Sequence, residues 1–345
     1  ANVGQTSNKG IEIALQGVLV KTRDWNVTAG FNINFNRGKV DKLADNVTGL
    51  YGTEWATSST FPKSDYVLKE GRPVGLVRGL TADGFYTTDD FTYENGVYTL
   101  KEGVADVSSA VFPNYHLHNG MNERPAGQLA YPGMAKFKDL NDDGIINDDD
   151  VDVIGDMTPV HTGGFNINAT YKNFDLGLYF NWSYGNEIYN VNKLAALYGY
   201  KEGAVYENKL SIVKDCYKIY DVVNGELVAL TTPEQLNAAN ANAKLPLAYS
   251  ENGYVSTLGI EDGSYLRLNT LTLGYTLPKS MLQKAGISNL RVYGSIYNVF
   301  TITGYSGIDA EVSTSTSTKT YPQLGMDWGT YPRARSFVLG VNLSF

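Results

Sequence analysis

The chain closes on Ser336-Phe-Val-Leu-Gly-Val-Asn-Leu-Ser-Phe345. In an extended strand, Phe337, Leu339, Val341, Leu343 and Phe345 fall on one face, and Ser336, Val338, Gly340, Asn342 and Ser344 on the other. About ten residues, tilted, is the length with which a β-strand crosses the hydrocarbon of an outer membrane. A half-buried strand of a soluble sandwich alternates in the same way. The choice between them lies upstream.

The same pattern recurs there. Ile11, Ile13, Leu15 and Leu19 share a face with Gly17. After a polar turn at 22–24, Trp25, Val27, Ala29, Phe31, Ile33 and Phe35 alternate with Asn26, Thr28, Gly30, Asn32, Asn34 and Asn36. Asn is a poor strand former, and a water-exposed sandwich face more often carries Lys, Glu or Thr. Uncharged amides opposite an aliphatic and aromatic face fit a wet lumen opposite lipid. Phe165, Ile167, Ala169 and Tyr171 continue the pattern, followed across the turn Lys172-Asn173 by Phe174, Leu176, Leu178, Phe180, Trp182 and Tyr184. Residues 264–277 are less regular. Leu271, Leu273, Tyr275 and Leu277 share a face that also carries Arg267. A lipid-facing Arg at the midplane costs about 2–4 kcal/mol. Either Arg267 lies above the hydrocarbon, or a bulge near Asn269 flips the register. Next come Leu290, Val292, Gly294 and Ile296 against Arg291, Tyr293, Ser295 and Tyr297, with the outward face left open.

Connection lengths separate the two readings. Short connections at 22–24, 172–173 and 278–288 alternate with long ones at 38–162, 186–263 and 302–334. Transmembrane barrels have short periplasmic turns and long extracellular loops. A periplasmic C-terminus puts all three short turns in the periplasm and all three long loops outside. The second loop carries a helix pattern near Pro233–Ala243. The fold expected is all-β: an antiparallel transmembrane β-barrel of about seven strands in this chain. Seven strands leave two unpaired edges, which lipid does not tolerate, so the chain is expected to be the C-terminal part of a larger barrel. It opens on Ala-Asn-Val, without Met or a signal peptide, as a mature piece or fragment does.

Composition narrows the function. No run approaches the roughly 20 apolar residues of a transmembrane helix. Net charge is −8 and no basic stripe is present, which argues against nucleic acid. The single cysteine, Cys216, gives neither a disulfide framework nor a thiolate metal site. His116, His118 and His161 do not form a ligand set. No Ser-His-Asp set, Cys-His pair or Gly-rich phosphate loop stands out, so an enzyme is not expected. Trp55, Tyr198, Trp328 and Tyr331 lie in the loops, where packing is the simpler role and sugar stacking the alternative.

One stretch carries chemistry. Asp139-Leu-Asn-Asp-Asp-Gly-Ile-Ile-Asn-Asp-Asp-Asp150 follows the twelve-residue calcium-loop pattern. Asp139, Asn141 and Asp143 take positions 1, 3 and 5, and Gly144 makes the turn. Ile145 offers its carbonyl, Asn147 sits at position 9 and Asp150 at position 12. Asp replaces the usual Glu there, as in dockerin-like loops. Six of the twelve residues are Asp and repel one another without a cation, although acidic runs are commonly plain solvated surface. A structural Ca²⁺ is expected, since all the donors are oxygens.

The chain resembles the C-terminal third of SusC/RagA-type TonB-dependent outer-membrane transporters. The resemblance rests on Asn8-Lys-Gly-Ile-Glu12, Phe31-Asn-Ile-Asn-Phe-Asn-Arg-Gly-Lys-Val40, Lys136-Phe-Lys-Asp-Leu-Asn-Asp-Asp-Gly144 and Asp175 through Tyr189. It continues in Glu261-Asp-Gly-Ser-Tyr-Leu-Arg-Leu268, Leu271-Thr-Leu-Gly-Tyr-Thr-Leu-Pro278, Leu290-Arg-Val-Tyr293, Asn298-Val-Phe-Thr301 and Tyr331-Pro-Arg-Ala-Arg-Ser-Phe337. It implies a 22-stranded plugged barrel in the outer membrane of a Bacteroidota-like bacterium. It also implies a SusD-like surface lipoprotein as partner, and TonB acting through a plug domain that precedes Ala1. The cargo implied is oligosaccharide or, in RagA-type members, peptide. A soluble, calcium-stabilised carbohydrate-binding β-protein is the alternative from the residues alone.

Overall fold

The computed structural model describes residues 4–58, 60–112, 124–198, 209–248, 253–283, 286–314 and 323–345. Seven long strands make one antiparallel sheet in chain order. They are β1 (Gly4–Lys21), β2 (Trp25–Leu43), β3 (His161–Tyr171), β4 (Phe174–Tyr184), β5 (Tyr265–Thr276), β6 (Asn289–Thr303) and β7 (Ser336–Ser344). The connections are 22–24, 172–173 and 277–288 at one end, and 44–160, 185–264 and 304–335 at the other. β2 thus runs on to Leu43, into the connection expected from residue 38.

Register decides which face is which. Leu15 pairs with Phe31, Phe31 with Phe165, Phe165 with Phe180, Phe180 with Leu268 and Leu268 with Phe300. A parallel row runs Gly17, Ala29, Ile167, Leu178, Leu271, Ile296 and Phe337. At the short-turn end the row is Trp25, Tyr171, Phe174, Tyr275, Val292 and Val341. Rings in it touch, with Trp25 and Tyr171 centroids 4.4 Å apart and Phe174 and Tyr275 4.7 Å apart. One continuous apolar belt therefore wraps all seven strands. Much of it meets no protein, with Phe337 71% and Leu339 89% exposed. From Trp25 to Phe35 it spans about 33 Å along the strand and, at a tilt of about 40°, about 25 Å along the membrane normal. That is the height of the lipid-facing band of an outer-membrane barrel.

The irregular strand is resolved by a bulge. Asn269 has no partner on either side, because the ladder steps from Leu268 to Thr270 against both neighbours. On β6, Asn298 and Val299 lie opposite it, and Asn298 takes a left-handed φ of 58°, which Asn tolerates better than most residues. Leu271, Leu273 and Tyr275 stay in the belt, Leu266 and Leu268 rejoin it, and Arg267 turns to the inner face. β6 has Leu290, Val292, Gly294 and Ile296 in the belt, so Arg291, Tyr293, Ser295 and Tyr297 face inward.

The long connections do not hang as separate loops. Connections this long do not stay structureless in a compact protein, and these share one core. Phe61, Tyr66, Tyr86 and Tyr98 of the first pack with Tyr189, Leu194, Leu236 and Tyr254 of the second and Met326 of the third. Backbone joins them as well. Thr60–Phe61 pairs with Gly253–Tyr254, and Glu187–Asn190 pairs with Ile260–Asp262 and Met326–Asp327. The second connection carries two helices, Val191–Tyr198 and the expected one at Pro233–Asn240, the latter capped by the Thr232 hydroxyl on the Gln235 N–H.

The belt makes a quantitative demand. Leu178→Arg, near its middle, is expected to destabilise the barrel by about 2–4 kcal/mol in urea unfolding from liposomes, and inward-facing Thr28→Arg by less than half of that.

Candidate functional site

The inner face of β1 to β4 is rich in amides and glycine. Gln16, Gly30, Asn166 and Tyr179 form one row, and Ala14, Asn32, Gly164 and Asn181 the next. Glycines at 30 and 164 leave a concavity of about 530 Å³ against the wall. A Cβ on Gly30 would lie 2.6 Å from the Asn166 amide nitrogen, so glycine is what lets that amide lie flat. The Tyr179 hydroxyl donates to Asn168 Oδ1 (3.2 Å), whose amide donates to Asn166 Oδ1 (3.1 Å). This surface is wettable and carries little charge.

Two charged staples interrupt it. Arg291 Nε donates to Asp175 Oδ1 at 2.9 Å, and its Nη2 bonds Asp175 Oδ2, a bidentate pair spanning β4 to β6. It crosses β5 at Gly274, where a Cβ would lie 2.5 Å from Arg291 Nη2. At the other end of the wall, the bulge delivers Arg267 to the third connection. The guanidinium, 2% exposed, meets Thr301 Oγ1 (2.9 Å), Glu311 (2.9 Å) and Asp309. Arg333 closes the set on Asp309 (3.2 Å) and Glu311 (2.9 Å). Charges of alternating sign compensate one another, as a buried ion needs. The sequence flagged Arg267 but not its partners, which lie some forty residues on. The irregular alternation at Asn269 was the only signal.

Polar contacts extend the clamp. Asp327 accepts the Tyr305 hydroxyl (2.6 Å) and the Thr330 hydroxyl (2.7 Å), and its carbonyl accepts the Asn192 amide (3.1 Å). Tyr66 donates its hydroxyl to the Leu324 carbonyl at 2.8 Å. Asp65 is fully buried, and its carboxylate accepts the N–H groups of Glu54, Trp55 and Ala56. Burial pushes its pKa up against the pull of those N–H groups. Burial also lifts the Cys216 thiol to about 11, helped by Asp215, which makes it a poor nucleophile at neutral pH.

The acidic loop brings five of its six expected donors into one hydrogen-bonded turn. The Asp143 N–H donates to Asp139 Oδ1 (3.3 Å) and Asn141 Oδ1 (3.1 Å), and the Gly144 N–H to Asp139 Oδ2 (2.7 Å). The Ile145 N–H donates to Asp143 Oδ1 (2.9 Å), and the Asn147 amide to the Ile145 carbonyl (3.2 Å). Gly144 has φ 85° at the turn. Asp150, the sixth, ties the start of the loop to its end. It is fully buried, and its two oxygens accept the N–H groups of Leu140 (2.7 Å) and Asn147 (2.8 Å). Each of those oxygens keeps a second lone pair. Among the described residues no three His, Cys, Asp or Glu side chains converge as a metal cluster. A cation held here would depend on Asn and backbone oxygens beside its carboxylates.

The remaining candidates separate. Trp55 packs edge-on against Tyr189, while Trp328 and Tyr331 are exposed. His161 accepts the Trp182 indole N–H (3.0 Å) and stacks on Tyr184. His116, His118 and the Tyr198 side chain lie outside the described residues.

No family model matches the sequence. Curated proteins do. TonB-dependent receptor P3 of Formosa agariphila is 29% identical across the whole chain, which spans 29% of that receptor. TonB-dependent receptor SusC of Bacteroides thetaiotaomicron is 26% identical across the whole chain, which spans 27% of it. Among solved structures, the RagAB peptide transporter superposes with a TM-score of 0.65 at 22% identity, over the whole chain and 30% of the matched chain. The chain thus spans less than a third of the relatives it matches. They are receptors and transporters, not enzymes.

The staple at Gly274 gives a direct test. Gly274→Val is expected to push Asp175 and Arg291 apart and lower stability by about 1–3 kcal/mol in urea unfolding, with Asp175→Asn in the same background adding little further loss.

Proposed function

We propose that this chain, a barrel segment of the SusC/RagA type of TonB-dependent transporter, builds wall and external body of an outer-membrane nutrient importer. The observation that carries the reading is the sorting of connection lengths across a continuous apolar belt. The short-turn end and Phe345 face the periplasm, and the shared loop body faces outward. A soluble β-protein has no use for such a belt on an open face. By the likeness to these transporters, TonB supplies the energy, and a SusD-like lipoprotein covers the external body.

Cargo crosses without chemistry. The amide-rich inner face suits hydroxyl-rich surfaces, because it offers donors and acceptors without a desolvated charge to repay. Oligosaccharide is the cargo we favour. Peptide is the second reading, since RagAB is described as a peptide transporter and shares this fold. Deletion of the full-length gene is expected to abolish growth on the cognate glycan and leave growth on peptides intact. Loss of peptide growth alone would favour the second reading, and unchanged growth on both would contradict import.

Ca²⁺ bound by Asp139, Asn141, Asp143, the Ile145 carbonyl, Asn147 and Asp150 would relieve the repulsion of the acidic turn and pin the first connection. Its role is structural. Addition of Ca²⁺ is expected to raise the thermal midpoint of the purified receptor, and Asp139→Ala with Asp143→Ala to remove that shift. A midpoint indifferent to Ca²⁺ and to chelator would show a plain acidic turn.

A further inference from the structure

Among the described residues, the loop body holds a half-buried arginine with no carboxylate in ion-pair contact. Arg78 sits on the strand Leu76–Gly79 and is half-buried. Its Nη1 donates to Ser64 Oγ at 2.8 Å, with the Ser64 carbonyl at 3.5 Å, and the guanidinium lies 4.8 Å from the Tyr51 ring centroid. Among the described residues no carboxylate comes within ion-pair distance of it. Arg267 and Arg291, in the wall, each meet at least one. Burial lowers the Arg78 pKa, while Tyr51, Asp148 and Asp152 oppose that. Asp152 is already paired with Lys69 at 3.1 Å.

A pocket of about 420 Å³ opens beside this guanidinium, large enough for a sugar ring or two. Lys63 and Asp148 line it as well, so cations outnumber carboxylates two to one. Phe61 and Pro62 supply an apolar wall, and Ser58 and Ser109 add hydroxyls. A planar guanidinium with spare N–H groups, a second cation, hydroxyls and an apolar wall together match an oxyanion carried on a polar ring. Arg is suited to this because its fork binds two oxygens at once.

We propose that the Arg78–Lys63 pocket binds an acidic sugar residue, one bearing a carboxylate or a sulfate ester. The assignment deepens the importer reading and rests on it for the source of the ligand: the pocket would select anionic over neutral glycans at the outer surface. The anion meets Arg78 and Lys63, and the ring lies against Phe61 and Pro62. Asp148 limits the site to one anionic group at a time.

The test is titration of the purified full-length receptor with sodium glucuronate, glucose 6-sulfate, glucose and inorganic sulfate. The acidic sugars are expected to bind and glucose not to bind at the same concentrations. Arg78→Gln is expected to weaken the acidic sugar by about ten-fold or more, as loss of a charge-assisted hydrogen bond does. Exposed Lys63→Ala is expected to weaken it several-fold with the melting temperature unchanged, which keeps the test valid if Arg78→Gln folds poorly. Preference between the two acidic sugars assigns carboxylate or sulfate. The proposal is overturned if glucose binds as well as glucuronate, if Lys63→Ala leaves affinity unchanged, or if inorganic sulfate binds as tightly as either sugar. Binding without uptake would remove the importer reading and keep the site. Uptake without binding would do the reverse.

Discussion

In hydrocarbon, a backbone N–H or C=O without a partner costs several kilocalories per mole, and there is no water to relieve it. That constraint organises this chain. Each strand must be zipped to its neighbours along the belt, so a slip of one residue would turn an entire apolar face inward. The rows from Leu15 to Phe300 and from Gly17 to Phe337 are the outcome of that coupling. So is the bulge at Asn269. A strand that must keep Leu271 and Leu273 in lipid and still bring Arg267 to the interior needs one extra residue between them. The extra residue places a guanidinium where Asp309 and Glu311 compensate it, with Arg333 balancing the second carboxylate.

The same constraint explains where variation is allowed. Inside the belt the backbone has one solution. Beyond it, in water, the chain folds as ordinary globular protein. The three long connections share an aromatic core and are bonded to one another. Arg267 ties the third connection to β5, and Tyr66 and Asn192 tie the first and second to the third. A loop body fixed in this way is a rigid platform, and the polar pocket at Arg78 lies on it. Wall and platform thus divide the work: one satisfies lipid, the other folds in water.

Much of the wall was legible in the sequence because a period of two survives in single residues. Trp25 to Phe35 and Phe174 to Tyr184 show it without help. β5 and β6 did not, because the bulge shifts both patterns at once, and only the ladder shows that Asn269, Asn298 and Val299 fall out of step. Arg267 left two readings open for that reason. The acidic loop was legible by spacing, yet the double use of Asp150 by the Leu140 and Asn147 N–H groups was not, since burial is a tertiary property. The shared core of the loop body was hidden too. Phe61 and Tyr254 are nearly two hundred residues apart, and no local pattern announces a bridge between their strands. Arg78 passed unnoticed, as an isolated arginine on a short strand does.

The central claim is that the inner and outer faces of this sheet alternate between water and lipid residue by residue. Single cysteines along β4, from Phe174 to Tyr184, in a full-length background with Cys216 replaced by Ser, carry an environment-sensitive fluorophore after reconstitution into liposomes. Labels at 176, 178, 180 and 182 should be quenched by brominated lipid, and labels at 177, 179, 181 and 183 should not. Uniform quenching, or none at any position, would contradict the barrel wall described here.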